Sequence, residues 1–174
     1  MKLIELSKNS KNPLVKGKYS AMVDDGDYEW LNQFTWSVQF DTNTHYAVRA
    51  TSRRLGKQKK IKMHREILGI SDSKIKIDHI DHNGLNNQRC NIRYSTCSQN
   101  SMNKRKNKNA SSKYMGVYLI RRKKCIRYGA FIQHNRISHS VGIFETEIEA
   151  AKARDIKAKE LFGEFANLNF KSLD

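Results

Sequence analysis

Apolar and polar residues alternate in short stretches broken by polar turns, and only the end of the chain carries a long helical period. TWSVQF (35–40) and THYAVRA (44–50) interleave apolar and polar positions over strand length, with Asp41-Thr42-Asn43 between them as a hairpin turn. LVKGKYSAMV (14–23) alternates more loosely and stops at the turn cluster Asp24-Asp25-Gly26-Asp27. YEWLNQF (28–34) predicts a helical turn after an acidic start. IKMHREILGI (61–70) predicts a short apolar helix with Ile67 and Leu68 buried. Trp30, Trp36 and Tyr46 are expected in the core. KIKIDHI (74–80) alternates as a strand, and HNGLNNQRCN (82–91) follows as a loop of Asn and Gly, residues that tolerate turn conformations. NIRYSTCSQN (91–100) predicts a further strand, then a helix capped by Ser95 or Thr96 and carrying Asn100.

The C-terminal part has its own pattern. YMGVYLIRR (114–122), IRYGAFIQH (126–134) and ISHSVGIF (137–144) predict three strands. Thr146-Glu147-Ile148-Glu149 is a capping box. The helix it opens has an apolar stripe of Ile148, Ala151, Ile156, Leu161 and Phe162 and ends at Gly163. The expected class is α+β. A strand-rich region occupies residues 1–103, a basic linker 104–111, and a three-stranded antiparallel sheet packed on one helix 112–174. The stretch SMNKRKNKNASSK (101–113), almost without apolar residues, marks the linker.

Charge sharpens this. Lys and Arg number 33 against 17 Asp and Glu, a formal net charge of +16. Between Asp41 and Glu66 there is no acid, and none between Asp81 and Glu145. A surface tuned only for solubility mixes signs, so spans of this length point to a polyanionic partner, and a pI near 9.9 fits nucleic acid. A membrane surface needs a basic amphipathic helix, whereas the basic spans here read as strands and loops. No run of 18 apolar residues is present, and the N-terminus lacks the apolar core of a secretory signal. Cys90, Cys97 and Cys125 are odd in number and form no CxxC pair. They predict a reducing, cytoplasmic setting without a disulfide framework; without a CxxC pair the structural-zinc alternative is reduced to Cys90 and Cys97 with a nearby His.

The candidate chemistry lies in DHIDHNGLNNQRCNIRYSTCSQN (78–100). Cleaving a phosphodiester takes a general base for the attacking water and positive charge on the developing oxyanion. His79 suits the base, because imidazole titrates near neutrality. On a strand, Asp78 points to the other side and can hold a cation. Mg²⁺ prefers oxygen ligands and few protein contacts, which Asp78 and the Asn100 amide could provide. Asn91 could orient the His79 ring, as an Asp does in other sites. The same residues also suit a polar turn network without chemistry. Their spacing and basic flanks weigh toward catalysis.

These residues resemble the HNH nuclease motif in its His-Asn-Asn form, as in phage and intron-encoded homing endonucleases, and MHREIL (63–68) resembles the segment that precedes it. The resemblance implies a ββα-metal (His-Me finger) core. It also implies Asp78 and Asn100 as metal ligands, His79 as general base, Asn91 holding His79, and Mg²⁺ (or Mn²⁺) rather than zinc. His82 stands where such motifs usually carry Gly and reads as a solvated loop residue, with a second functional imidazole as the alternative.

YMGVY, YGAFI, VGIF, EIEAAKARDIKAKELFG and FANLNF are similar to the ethylene-response-factor (APETALA) DNA-binding domain, over roughly residues 112–170. That similarity implies a sheet lying in the major groove. Arg121, Arg122, Lys124, Arg127, Tyr128 and Arg136 are the DNA-binding positions it suggests. Tyr128 and Ser140 stand where the family often has Trp, and Tyr118 replaces an Arg, so base specificity does not carry over. One Arg bidentate to guanine is the expected specific contact, with phosphate contacts from most of the rest. The combined expectation is a monomeric, sequence-directed, homing-type endonuclease that nicks or cleaves double-stranded DNA. The alternative is a non-catalytic DNA-binding transcription regulator. An RNA-binding reading lacks the aromatic strand signatures of RNA-recognition sheets.

Overall fold

The chain opens on a strand that the alternation of apolar and polar residues does not reveal. In Lys2–Leu6 (β1) Ile4 and Leu6 are 2% and 0% exposed while Leu3 faces solvent. An apolar residue on the solvent side blurs the period-two signal. β1 pairs antiparallel with Tyr19–Val23 (β2), Ile4 opposite Ala21. The computed structural model describes residues 1–7, 12–52, 58–103, 111–123, 125–134 and 137–170. Its contacts form two units, Met1–Thr96 and Cys97–Asp174. Residues 104–110 of the expected linker lie outside the described residues.

In the first unit the expected helical turn starts earlier than residue 28: Asp25, Gly26 and Asp27 of the acidic cluster already belong to the helix Asp25–Leu31 (α1). Asp24 takes the N-cap position in an extended conformation, and Asp25 and Asp27 lie in the first turn, where carboxylates favour the helix dipole. Ser37–Phe40 (β3), His45–Ala50 (β4) and Lys60–Lys62 (β5) form an antiparallel sheet in that order. The expected Asp41–Thr44 turn joins the first two, with the Asp41 N–H donating to the Thr44 carbonyl at 3.2 Å. Met63–Ile67 (α2) follows directly. Lys76–His79 (β6) and Ile92–Ser95 (β7) pair antiparallel, Asp78 opposite Arg93 and His79 opposite Ile92.

One apolar cluster joins these elements. It gathers Ile4 and Leu6 of β1, Ala21 and Val23 of β2, Leu31, Trp36, Ala47, Met63 and Ile67, and Ile92 of β7. Trp36 is 1% exposed, and its indole donates to the Leu31 carbonyl at 2.8 Å, meeting the polar need of a buried Trp. Trp30 and Tyr46, expected in the core, are only half-buried.

The second unit begins with Cys97–Met102 (α3). Val117–Arg122 (β8), Cys125–His134 (β9) and Ile137–Phe144 (β10) make an antiparallel sheet in the order β10-β9-β8. It packs on Glu147–Phe162 (α4), which starts in the expected capping box: the Thr146 hydroxyl accepts the Glu149 N–H, and the Glu149 carboxylate accepts the Thr146 N–H. Ala150, Ala151, Ala158 and Phe162 face the sheet. The expected stripe is wrong at two places, since Ile148 and Ile156 are 48% and 70% exposed. The buried face carries Arg154 and Asp155 instead. Asp155 accepts the N–H groups of Asn169 and Phe170, and Arg154 donates to the Asn167 carbonyl. A polar pair inside the helix face thus ties down the segment that follows it. Among the described residues no helix is long and apolar enough to cross a membrane.

Candidate active site

Strand pairing sets the site's first two residues. β6 brings Asp78 and His79 to its C-terminal end, both buried, at 5% and 6% exposure. Arg93, cross-strand from Asp78, donates to its Oδ2 through Nε at 3.1 Å and Nη2 at 2.9 Å. Both partners are largely withdrawn from water, where charge-assisted hydrogen bonds are stronger than at a surface. Burial pushes His79 below the ordinary imidazole value, partly offset by the Asn87 side chain and by Asp81 and Asp78. The ring is therefore neutral at physiological pH, the form that accepts a proton.

The loop between β6 and β7 is internally bonded through its Asn and Asp side chains. The Asn91 amide nitrogen donates to Asp81 Oδ1 at 2.9 Å and to the Asn86 carbonyl at 2.8 Å, and its oxygen accepts the Asp81 N–H at 3.0 Å. Asp81 also accepts the Asn83 N–H and the Asn86 amide. These contacts hold the Asp81 carboxyl below its usual range against the opposing effect of burial. The Ile80 N–H donates to the Asn91 carbonyl, and the His82 N–H to the His79 carbonyl, both at 2.9 Å. Asn91 thus fixes the backbone that leaves His79. His82 has φ 62°. That left-handed conformation is uncommon for a residue with a Cβ and explains why glycine is usual there in the motif the sequence resembles.

The loop is also docked on distant parts of its unit. The Met22 N–H donates to the Leu85 carbonyl, and the Asn87 N–H to the Met22 carbonyl, each at 2.8 Å, so the loop extends β2 as a short parallel bridge. Asp24 accepts the Arg89 N–H at 2.8 Å and the Gln88 amide at 3.2 Å. Arg89 clamps Asp27 with two bonds of 2.8 and 2.7 Å. The Gly84 N–H donates to the Thr44 hydroxyl at 2.8 Å. The acidic cluster that reads locally as a turn is therefore the anchor of the motif.

A second histidine stands beside the first. His64, from α2, is 5% exposed, and its ring lies edge-on to that of His79 with centroids 4.9 Å apart. Tyr46 of β4 approaches both, at 5.6 Å from His64 and 6.0 Å from His79. The Lys62 ammonium sits 3.9 Å above the Tyr46 ring. The sequence hints at His64 only through MHREIL; Tyr46, Lys62 and Arg93 carry no local signal of their place here.

Of the other expected site residues, Asn100 is on α3 in the second unit, with an exposed side chain. Arg121 and Arg122 are exposed at the end of β8. Arg127 is ion-paired with Glu145. Tyr128 packs on the cluster of Val117, Ala130, Ala150 and Ala151, while Tyr118 is exposed against Phe131, ring centroids 5.9 Å apart. Lys124 and Arg136 lie outside the described residues.

Among the described residues no three His, Cys, Asp or Glu side chains converge into a set that could hold a metal ion unaided. The Asp78 carboxylate is the oxygen donor type that Mg²⁺ prefers, and its Oδ2 already accepts both bonds from Arg93.

No family model matches the chain, and no solved structure matches it. The chain is 41% identical over 115 residues to an uncharacterized HNH endonuclease of Acanthamoeba polyphaga mimivirus, a match that covers 63% of this chain. The chain spans 58% of the length of that curated relative.

Proposed function

We propose that this protein is an HNH-type DNA endonuclease that hydrolyses phosphodiester bonds with one divalent cation and a histidine base. The observation that carries the reading is the pair of buried neighbours Asp78 and His79 at the end of β6, opposite Arg93 and followed by a loop locked by Asn91. The likeness to a protein named an HNH endonuclease points the same way. In this reading β6, β7 and the loop between them supply the two strands of a ββα-metal core.

His79 takes a proton from the attacking water onto a ring nitrogen. Its neutrality at physiological pH leaves it able to do so. Arg93 holds Asp78, and Asn91 holds the turn that carries the His79 carbonyl. Mg²⁺ or Mn²⁺ bound at Asp78 would supply positive charge at the phosphate and leaving oxygen. The role of Asn100 as a further oxygen donor rests on sequence resemblance alone.

The second unit is proposed to dock double-stranded DNA in the manner of an ethylene-response-factor domain. Its three-stranded sheet on one helix and the exposed Arg121 and Arg122 support this. The net charge of +16 supports a polyanionic substrate whose affinity falls steeply with salt. One site in a monomer nicks one strand per encounter, and a homing role rests on the resemblance of residues 78–100 to the HNH motif of phage and intron-encoded enzymes.

The test is relaxation of supercoiled plasmid by the purified protein with Mg²⁺, with EDTA, and with His79→Ala. Nicking should require the cation and vanish in the variant. Undiminished nicking by His79→Ala would overturn the mechanism. Tight, salt-sensitive DNA binding without nicking of any tested target would favour the regulator.

A further inference from the structure

Resting on that reading, we propose that His64 and Tyr46 are positioning residues that fix the plane of the His79 ring by aromatic packing. Asn91 restrains the backbone around His79, and the Asn87 side chain reaches the ring itself, but the plane of the ring is also bounded by what packs against its faces. Two rings from two other elements meet it. His64 contributes an edge-to-face contact at 4.9 Å with planes 80° apart, inside the range in which such pairs are favourable. Tyr46 lies 6.0 Å away with its plane tilted by 50°.

Both neighbours are themselves held. His64 is 5% exposed on α2, flanked by Met63 and Ile67 of the apolar cluster. Tyr46 is capped by the Lys62 ammonium and backed by Gly84, where a Cβ would come within 2.7 Å of the tyrosine ring. The loop that carries the motif is thus cut away at one position to admit the ring that flanks the base. Burial, then the adjacent His79, pushes His64 down to about 2, so it is uncharged across the working range. Its service to His79 is shape.

Proton abstraction is sensitive to ring placement, and a misplacement of about 1 Å can cost on the order of 100-fold in rate. The inference therefore separates three substitutions. His64→Ala should lower kcat for nicking by about 10- to 100-fold with KM unchanged within about two-fold. His64→Phe keeps the edge-on ring and should restore kcat to within a few-fold of wild type. Tyr46→Leu should fall between them. The metal-free protein gives an independent readout: the carbon-bound ring protons of His79 should lose their ring-current shifts in His64→Ala and keep them in His64→Phe.

Three results would overturn the inference. One is an unaltered His79 ring signal and kcat in His64→Ala. Another is a folded His64→Phe as slow as His64→Ala, which would give the His64 imidazole a chemical role. The third applies if His64→Ala does not fold: His64→Phe and Tyr46→Leu then decide, and unshifted His79 signals in Tyr46→Leu together with lost activity in His64→Phe count against it. If wild type nicks nothing, the nuclease reading fails while the ring signals still decide whether these residues fix His79.

Discussion

Asp24 accepts the backbone N–H of Arg89 at 2.8 Å across 65 positions of sequence. With the bond from Gln88 to its other oxygen, this makes the cap residue of a short helix also the anchor of the loop that carries Asn91. The strand-rich N-terminal region is therefore part of the site's construction: β2 supplies a backbone bridge, Asp24 a carboxylate, and Asp27 the ion pair that holds Arg89.

Removing the Asp24 carboxylate should loosen that loop before anything else. Asp24→Ala leaves the Arg89 N–H without its charged acceptor, at a cost of about 1–2 kcal/mol. The urea midpoint should fall with little change in slope. Amide exchange at Arg89 should quicken more than exchange in β3 and β4. Equal loss of protection everywhere would show that Asp24 acts on the whole unit and not on the loop.

The Asp27–Arg89 pair makes a pH-dependent contribution whose sign is fixed. Its hydrogen bonds from Arg89, helped by Trp30 and opposed by burial, hold the Asp27 carboxyl below the usual carboxylate range. A depressed folded pKa means that the ionised form is favoured in the folded state. The stability gained is complete above the unfolded value of about 3.9 and is lost as pH falls through the lower folded value. Asp27→Asn should thus melt below wild type at pH 7, and the two curves should converge between about pH 5 and pH 2. A gap that persists unchanged to pH 2 would assign the loss to packing.

The sequence makes β6, β7 and the Asp78-His79 pair legible because their information is local: KIKIDHI alternates over strand length and ends at a carboxylate and an imidazole. It also marks the β3–β4 hairpin and the α4 cap. It hides what depends on distant partners. Nothing near Asp24 says that it will bind Arg89, and nothing near Tyr46 says that Gly84 will make room for its ring. Leu3 obscures β1 by placing an apolar group in water. An apolar-stripe reading of α4 chooses Ile148 and Ile156 because it cannot foresee that Arg154 and Asp155 find backbone partners in residues 167–170 and so become burial-competent.

His82 holds a backbone conformation better suited to glycine. The left-handed region costs a residue with a Cβ about 1–2 kcal/mol, and glycine's greater unfolded-state freedom offsets part of that. His82→Gly should raise stability by up to about 1 kcal/mol net, read as a higher melting temperature. Plasmid nicking should persist, because no step of the proposed reaction uses the His82 side chain. A stable His82→Gly protein that no longer nicks would make this imidazole a member of the site.

Gly84 is the opposite case, a glycine required by space and not by φ. A Cβ there would lie 2.4 Å from the His45 carbonyl oxygen and 2.7 Å from the Tyr46 ring. The oxygen belongs to the backbone of β4 and cannot swing aside, so the loop itself must lift. That movement strains the bond from the Gly84 N–H to Thr44 and withdraws the backing of Tyr46. Gly84→Ala should cost about 1–3 kcal/mol, the usual range for forcing extra volume into a packed site. It should also slow nicking beyond what a melting curve explains, because the displaced ring flanks His79. Activity that tracks the folded fraction alone, measured at temperatures where both proteins are fully folded, would confine Gly84 to a packing role.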